Sequence, residues 1–330
     1  MQAADLNLAL AALTRFDGPV PALPSGLDWE ALAEVCERHG LAPTVSYQLE
    51  YRWPGRFGAP GWLRERLLAS YQGILSDNVF KLVQLKQLLS QEAMPEVVLL
   101  GAAAAADAFY PHIAFRPVPE LELLLRARDL PAAQAAFGER GFLPVQRGPS
   151  EVLVGDGRLT VSLATALPGF APAADIEGLF ERKAPALPYG PRAFRLGPED
   201  AFLAHVAVLA REAFQVPRIQ LVDLREMALR GARGGEGFWD PQGGRPLDVP
   251  ALRARARGGE LQRALHCALE LLAELFPETA GAAGALAPEL SARMRALLSR
   301  SVVAPALDPR RRSNFRGVQA IRRALLRGRV

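Results

Sequence analysis

The sequence predicts an α+β fold, a mixed sheet with helices on one face, flanked by N-terminal and C-terminal helical regions. Three observations predict it. Residues 1–95 and 196–308 carry apolar side chains at the three-to-four-residue period of a core-facing helix. Between them, short apolar runs alternate with helical stretches, the order that gives a sheet with packed helices. Within that middle segment, Gly155-Asp156-Gly157 is flanked by two short runs, Glu151–Val154 and Leu159–Leu163, as in a hairpin. The chain therefore divides into an N-terminal helical region (1–95), an α/β core (96–195), a C-terminal helical domain (196–308) and a basic amphipathic tail (309–330).

The elements follow in order. Met1 to Phe16 reads as an amphipathic helix, with an acid at Asp5 and no early basic cluster, so it is no secretory signal. Asp28 is the expected N-cap of a helix through Arg38, with Gly40 as its stop and Pro43 just beyond. A Pro- and Gly-rich loop, 52–61, leads into a long helix from Trp62 to about Gln91. Its apolar stripe includes Leu67, Tyr71, Leu75, Leu82 and Leu89. Val97–Leu100 is a buried strand or a helix start, Ala102–Tyr110 a helix, Leu121–Leu125 a strand and Asp129–Arg140 a helix stopped by Gly141. Residues 166–195 are Pro-rich and read as a crossover. Helical periodicity returns from Gly197 to about Arg230, then over 249–275 and 287–301, with a loop at 231–248.

Half of the 330 residues are hydrophobic, enough for two proper cores. No apolar run reaches the roughly 20 residues of a membrane span. Cys36 and Cys267 stand alone in helical patterns and read as reduced core residues of a cytoplasmic protein. The net charge of +4 conceals an asymmetry: eight Arg and no acid fall within 309–330, so the remainder carries a charge of −4.

The candidate chemistry sits between Val97 and Leu125. Side chains alternate along a strand, so Glu120 and Glu122 share one face at the start of the second strand. Two carboxylates placed this way suit Mg²⁺ around a triphosphate. The flanking motifs are His39-Gly40-Leu41-Ala42-Pro43, Asn78, Val97-Val98-Leu99-Leu100, Tyr110-Pro111, Arg116-Pro117, Leu196 to Asp200, and Val222-Asp223-Leu224. Together they resemble an uncharacterised bacterial nucleotidyltransferase family, of the superfamily with the DNA polymerase beta-like fold, over roughly residues 28–230.

The resemblance implies a nucleotide-binding turn at Gly101 and Ala102 with Arg116 nearby, and a catalytic, metal-holding pair at Glu120 and Glu122. It also marks departures. The family's Lys-Gly falls on Gly101-Ala102, its two Asp on Glu120 and Glu122, and its third acid on Ser162, while Ala164 and Thr165 replace the following His and Trp. Each Glu moves its carboxylate by about 1 Å or more, a misplacement that can cost roughly a hundredfold in rate. The expectation is a degenerate site on a non-catalytic binding or regulatory protein, with a protein partner and Mg²⁺ or NTP as residual ligands. The alternative is an active Mg²⁺-dependent enzyme moving NMP from NTP to an acceptor, with Glu120 and Glu122 as metal ligands and Glu151 or Asp156 as the third acid.

Outside that segment, His39 suits a helix C-terminus, where a cation complements the dipole. His112, His205 and His266 read as packing or surface residues, and Asp223 as the partner of an Arg. The glycine-rich stretch 231–244 lacks the Gly-Lys-Ser/Thr ending of a phosphate loop. In the tail, Phe315, Val318, Ile321 and Leu325 form one helical stripe, with Arg316, Arg323 and Arg327 on another face. Such a helix either closes the domain or meets a protein partner, nucleic acid or an anionic membrane.

Overall fold

The computed structural model describes residues 3–167, 176–233, 247–258, 260–308 and 316–326. The helical N-terminal region begins with α1 (Ala3–Leu13), α2 (Trp29–Arg38) and α3 (Ala42–Tyr47). Asp28 caps α2 as expected, its Oδ1 accepting the Ala31 N–H at 3.0 Å, a contact typically worth about 1 kcal/mol. The long α4 (Gly61–Leu89) serves two cores. Leu63 and Leu67 pack among the helices, whereas Leu82, Leu85, Leu88 and Leu89 pack under the sheet.

The sheet interleaves with α5 (Gly101–Phe109), α6 (Leu130–Gly138) and α7 (Ile176–Glu181). Its strands are β1 (Val97–Leu99), β2 (Leu121–Leu124), β3 (Leu143–Arg147), β4 (Glu151–Gly155), β5 (Thr160–Ala164), β6 (Ala184–Pro185) and β7 (Ala193–Arg195). They are ordered β3-β4-β5-β2-β1-β7-β6, and the sheet is mixed. β2 runs antiparallel to β1 and parallel to β5, and β1 runs parallel to β7. Period-two alternation sorts the faces. Leu99, Leu121, Leu123, Val161 and Leu163 join the core formed with α4, α5 and α6. Val98 and Leu124 point the other way, against Leu179 and Phe180 of α7 and Leu196.

The C-terminal helices are α8 (Pro198–Arg211), α9 (Arg218–Arg233), α10 (Val249–Gly258), α11 (Gln262–Leu275), α12 (Ala280–Leu286), α13 (Ala292–Leu298), α14 (Ala304–Ala306) and α15 (Arg316–Leu326). They share one core with α1–α3 and the first half of α4. Arg225 of α9, almost wholly buried, donates from Nη2 to the Thr14 carbonyl at 2.6 Å and to Glu226 at 2.7 Å, which ties α9 to the end of α1.

Several expectations are corrected. β3 was not expected: all five of its residues are exposed and Pro144 interrupts its alternation, as an edge strand allows. The crossover 166–195 contains α7, β6 and β7, and the two strands are too short to show a period. The helix expected over 197–230 is two, broken where Ala213 and Phe214 take φ of 48° and 59°. The 249–275 helix is likewise broken, with Glu260 at φ 56°. Most of the 231–248 stretch lies outside the described residues. In the tail, Val318 and Ile321 are exposed, while Leu325 of the expected stripe packs on the core beside Leu326 and the buried Arg322, whose Nε donates to the Ser301 carbonyl at 2.8 Å. Arg323 approaches Glu212 at 3.6 Å. Arg316 starts α15, while Phe315 and Arg327 lie outside the described residues. Among the described residues, no helix is long and apolar enough to cross a membrane.

Candidate functional site

The turn between β1 and α5 forms one side of a cavity of about 240 Å³. Gly101, Ala102, Arg116, Glu120 and Glu122 all line it, so five of the residues expected at the site are brought together. Its remaining walls come from α5, the end of β7, α8 and α9. Arg195, His205, Arg211, Gln220 and Met227 were not foreseen as members. Nothing local in their sequence marks them: Arg195 is brought there by the pairing of β7 with β1, and the others by the docking of α8 and α9 onto the sheet.

Gly101 takes φ +57°, the left-handed region that glycine enters without strain. A Cβ on residue 101 would overlap Glu122 Oε2. The longer side chain on β2 thus fills the space that a side chain on the turn would need. Glu122 lies on the face of Val98 and Leu124, opposite the main sheet core. Its carboxylate takes no hydrogen bond from any described residue. Burial, and next the Glu120 carboxylate, push its pKa above the ordinary glutamate value, while Arg211 and Arg116 pull the other way. Glu120 is exposed, one residue before β2.

Ser162 stands directly opposite Glu122 in the β2–β5 register. Its Oγ donates to Glu151 Oε1 of β4, which holds a third carboxylate at this end of the sheet. Asp156, the other candidate third acid, is used by the hairpin turn. Its Oδ1 accepts the Arg158 and Leu159 N–H groups at 2.8 Å each, and these bonds lower its pKa. Among the described residues, no group of three His, Cys, Asp or Glu is placed to hold a metal ion.

Arg116 lines the cavity but is engaged elsewhere. Its Nε lies 2.9 Å from both oxygens of Asp223 on α9, its Nη2 approaches the same carboxylate at 2.8 Å, and its Nη1 donates to the Pro117 carbonyl at 2.7 Å. The Tyr110 hydroxyl donates to Asp223 Oδ1 at 2.6 Å. Burial disfavours charge on Arg116, yet Asp223 and Tyr110 outweigh it and raise its pKa. The pairing expected for Asp223 is therefore present.

The other motif residues fasten the same region. Asn78, fully buried, donates to the carbonyls of Ile113 (2.5 Å) and Arg116 (2.9 Å) and accepts the Val118 N–H at 3.0 Å. His39 ends α2 and its Nδ1 accepts the Arg218 N–H at 3.1 Å. Gly40, at φ +72°, lets the backbone pass Ile219 and Pro117, whose side chains would lie 3.4 and 3.5 Å from an added Cβ. At the start of α8, Glu199 accepts the Asp248 N–H at 2.8 Å, and Asp200 pairs with Arg182 at 2.8 Å and Arg255 at 3.0 Å.

Residues 25–277 match the family described as uncharacterised nucleotidyltransferase. The chain belongs to this family. No curated protein and no solved structure matches it. The match spans the sheet, α2 to α11 and every motif residue above, so the cavity of this nucleotidyltransferase-family protein lies within the family's own region. His205, at the α8 wall, donates from Nε2 to the Gln220 carbonyl at 2.7 Å, and burial lowers its pKa, so the ring is neutral at physiological pH.

Proposed function

We propose that this nucleotidyltransferase-family protein has a degenerate metal site and acts by binding, without transferring a nucleotide. The observation that carries the reading is the packing of Glu122 against Gly101. Nucleotidyl transfer needs carboxylates aimed at phosphate-bound metal ions and cations facing the phosphates. Here the family's lysine position is a glycine, and the carboxylate of Glu122 is directed onto that glycine. The third acid position is Ser162, which is spent as a donor to Glu151. Arg116, the cation expected to face the nucleotide, is bound to Asp223. The donor set therefore does not fit a two-metal centre.

Incubation of the full chain with radiolabelled NTP and Mg²⁺ tests this against a panel of acceptors. No label should move to protein or acceptor. Mg²⁺-dependent NMP transfer that disappears in Glu120→Ala would overturn the reading.

One contact favours a second reading, an active Mg²⁺-dependent enzyme. Ser162 brings the Glu151 carboxylate beside the strand that carries Glu122. That reading requires a thermal shift with Mg-NTP that Glu151→Gln removes.

A further inference from the structure

The cavity has a composition of its own. Its body is made of small and soft side chains, with Ala104, Ala108 and Phe109 of α5 facing Ala201 and Ala204 of α8 and Met227 of α9. These alanines leave the space that larger residues would fill. A cavity of about 150 Å³ holds a benzene ring, so 240 Å³ accommodates roughly ten non-hydrogen atoms, about half a nucleoside.

The polar groups at its edges fall into two classes. The cations have acids of their own: Arg116 is held by Asp223, Arg211 approaches Glu212 at 3.3 Å, and Arg195 acts on the charge of Asp107. The acceptors have no such contacts, and Glu122 feels Arg211 and Arg116 only through space. Glu120 and Glu122 form no hydrogen bond or ion pair with any described residue, and the buried Gln220 Oε1 has no hydrogen-bond partner among them. His205 spends its one N–H on the Gln220 carbonyl, which leaves its Nδ1 as a further acceptor. A buried acceptor without a donor is unfavourable, so a ligand that supplies donors is selected.

We infer that this cavity binds a small primary ammonium with a compact apolar body, its charged end toward Glu120 and Glu122 and its body between α5 and α8. The inference rests on the reading of the chain as a binding protein and names the chemistry of the ligand at that same site. An ammonium satisfies acceptors with three N–H donors, and a carboxylate–ammonium contact is stronger than a neutral one. A carboxylate or phosphate ligand would meet the unpaired acids instead.

Calorimetric titration of the full chain with benzylammonium, benzyl alcohol and benzoate tests this. Benzylammonium should bind saturably at one site, about tenfold or more tighter than the alcohol, and benzoate should not bind. Ala204→Leu should abolish binding by filling the cavity. Glu122→Gln, close to isosteric, should bring the amine and the alcohol to similar affinity even if the leucine variant does not fold. Failure of benzylammonium to bind, equal binding of amine and alcohol by the unaltered chain, or unchanged amine binding by a folded Ala204→Leu protein would each overturn the inference. The titration contains neither nucleotide nor Mg²⁺, so its outcome is independent of the transfer assay.

Discussion

Two stretches only a few residues apart are built on opposite terms. Around Arg116-Pro117-Val118, polar groups meet partners on distant elements: Asp223 on α9, Tyr110 after α5, and Asn78 on α4. At Glu120 and Glu122, the carboxylates meet none among the described residues. On the proposed reading, the first stretch keeps the family's motifs and the second is the degenerate site. The matching motifs hold the helical regions against the sheet and are constrained by folding itself. The residues at the cavity mouth carry no such load, so they can change together without loss of the fold.

The sharpest way to break this comparison is to remove the centre of the partnered stretch. Asp223→Ala leaves Arg116 charged and buried without its acid, which should cost about 3–5 kcal/mol in urea unfolding. A cost below 1 kcal/mol would mean that the ion pair does not anchor α9 to the sheet. Asn78→Ala removes three hydrogen bonds from the same loop and should cost about 2–3 kcal/mol by the same measurement.

The smallest effect is expected at the mouth, and it depends on pH. Burial raises the pKa of Glu122 in the folded state, so the folded protein holds this proton more tightly than the unfolded chain does. Stability should then fall as pH rises from the ordinary glutamate pKa of about 4.3 through the raised folded value. Glu122→Gln should lose that part of the slope in thermal unfolding followed against pH. An unchanged slope would show that Glu122 is solvated like a surface residue.

How much of this was legible in the sequence follows from the range of the interactions. The strand–turn–helix–strand frame could be read because its signals are local: the Val97–Leu99 run, the turn at Gly101, and the alternation through Leu121–Leu124. The cap at Asp28 and the Asp156 turn were legible for the same reason. β3 and β6 were missed because each is short and contains a proline, and β7 because three residues carry no period. The breaks near Phe214 and Glu260 were missed because neither residue type announces a positive φ. Of the site, the acid pair and its turn could be found from the family frame. The far wall, with His205, Arg211 and Gln220, is set by how α8 and α9 dock, which no local pattern encodes.

The central claim is that Gly101 and Glu122 form one packed unit. A double-mutant cycle of Gly101→Ala and Glu122→Ala, read by urea unfolding, tests it most directly. The backbone strain of alanine at φ +57° enters both arms and cancels. Overlap with the Glu122 carboxylate enters only one arm. Gly101→Ala should therefore cost about 1 kcal/mol or more less in the Glu122→Ala background than in the unaltered chain. Equal costs in the two backgrounds would contradict the claim.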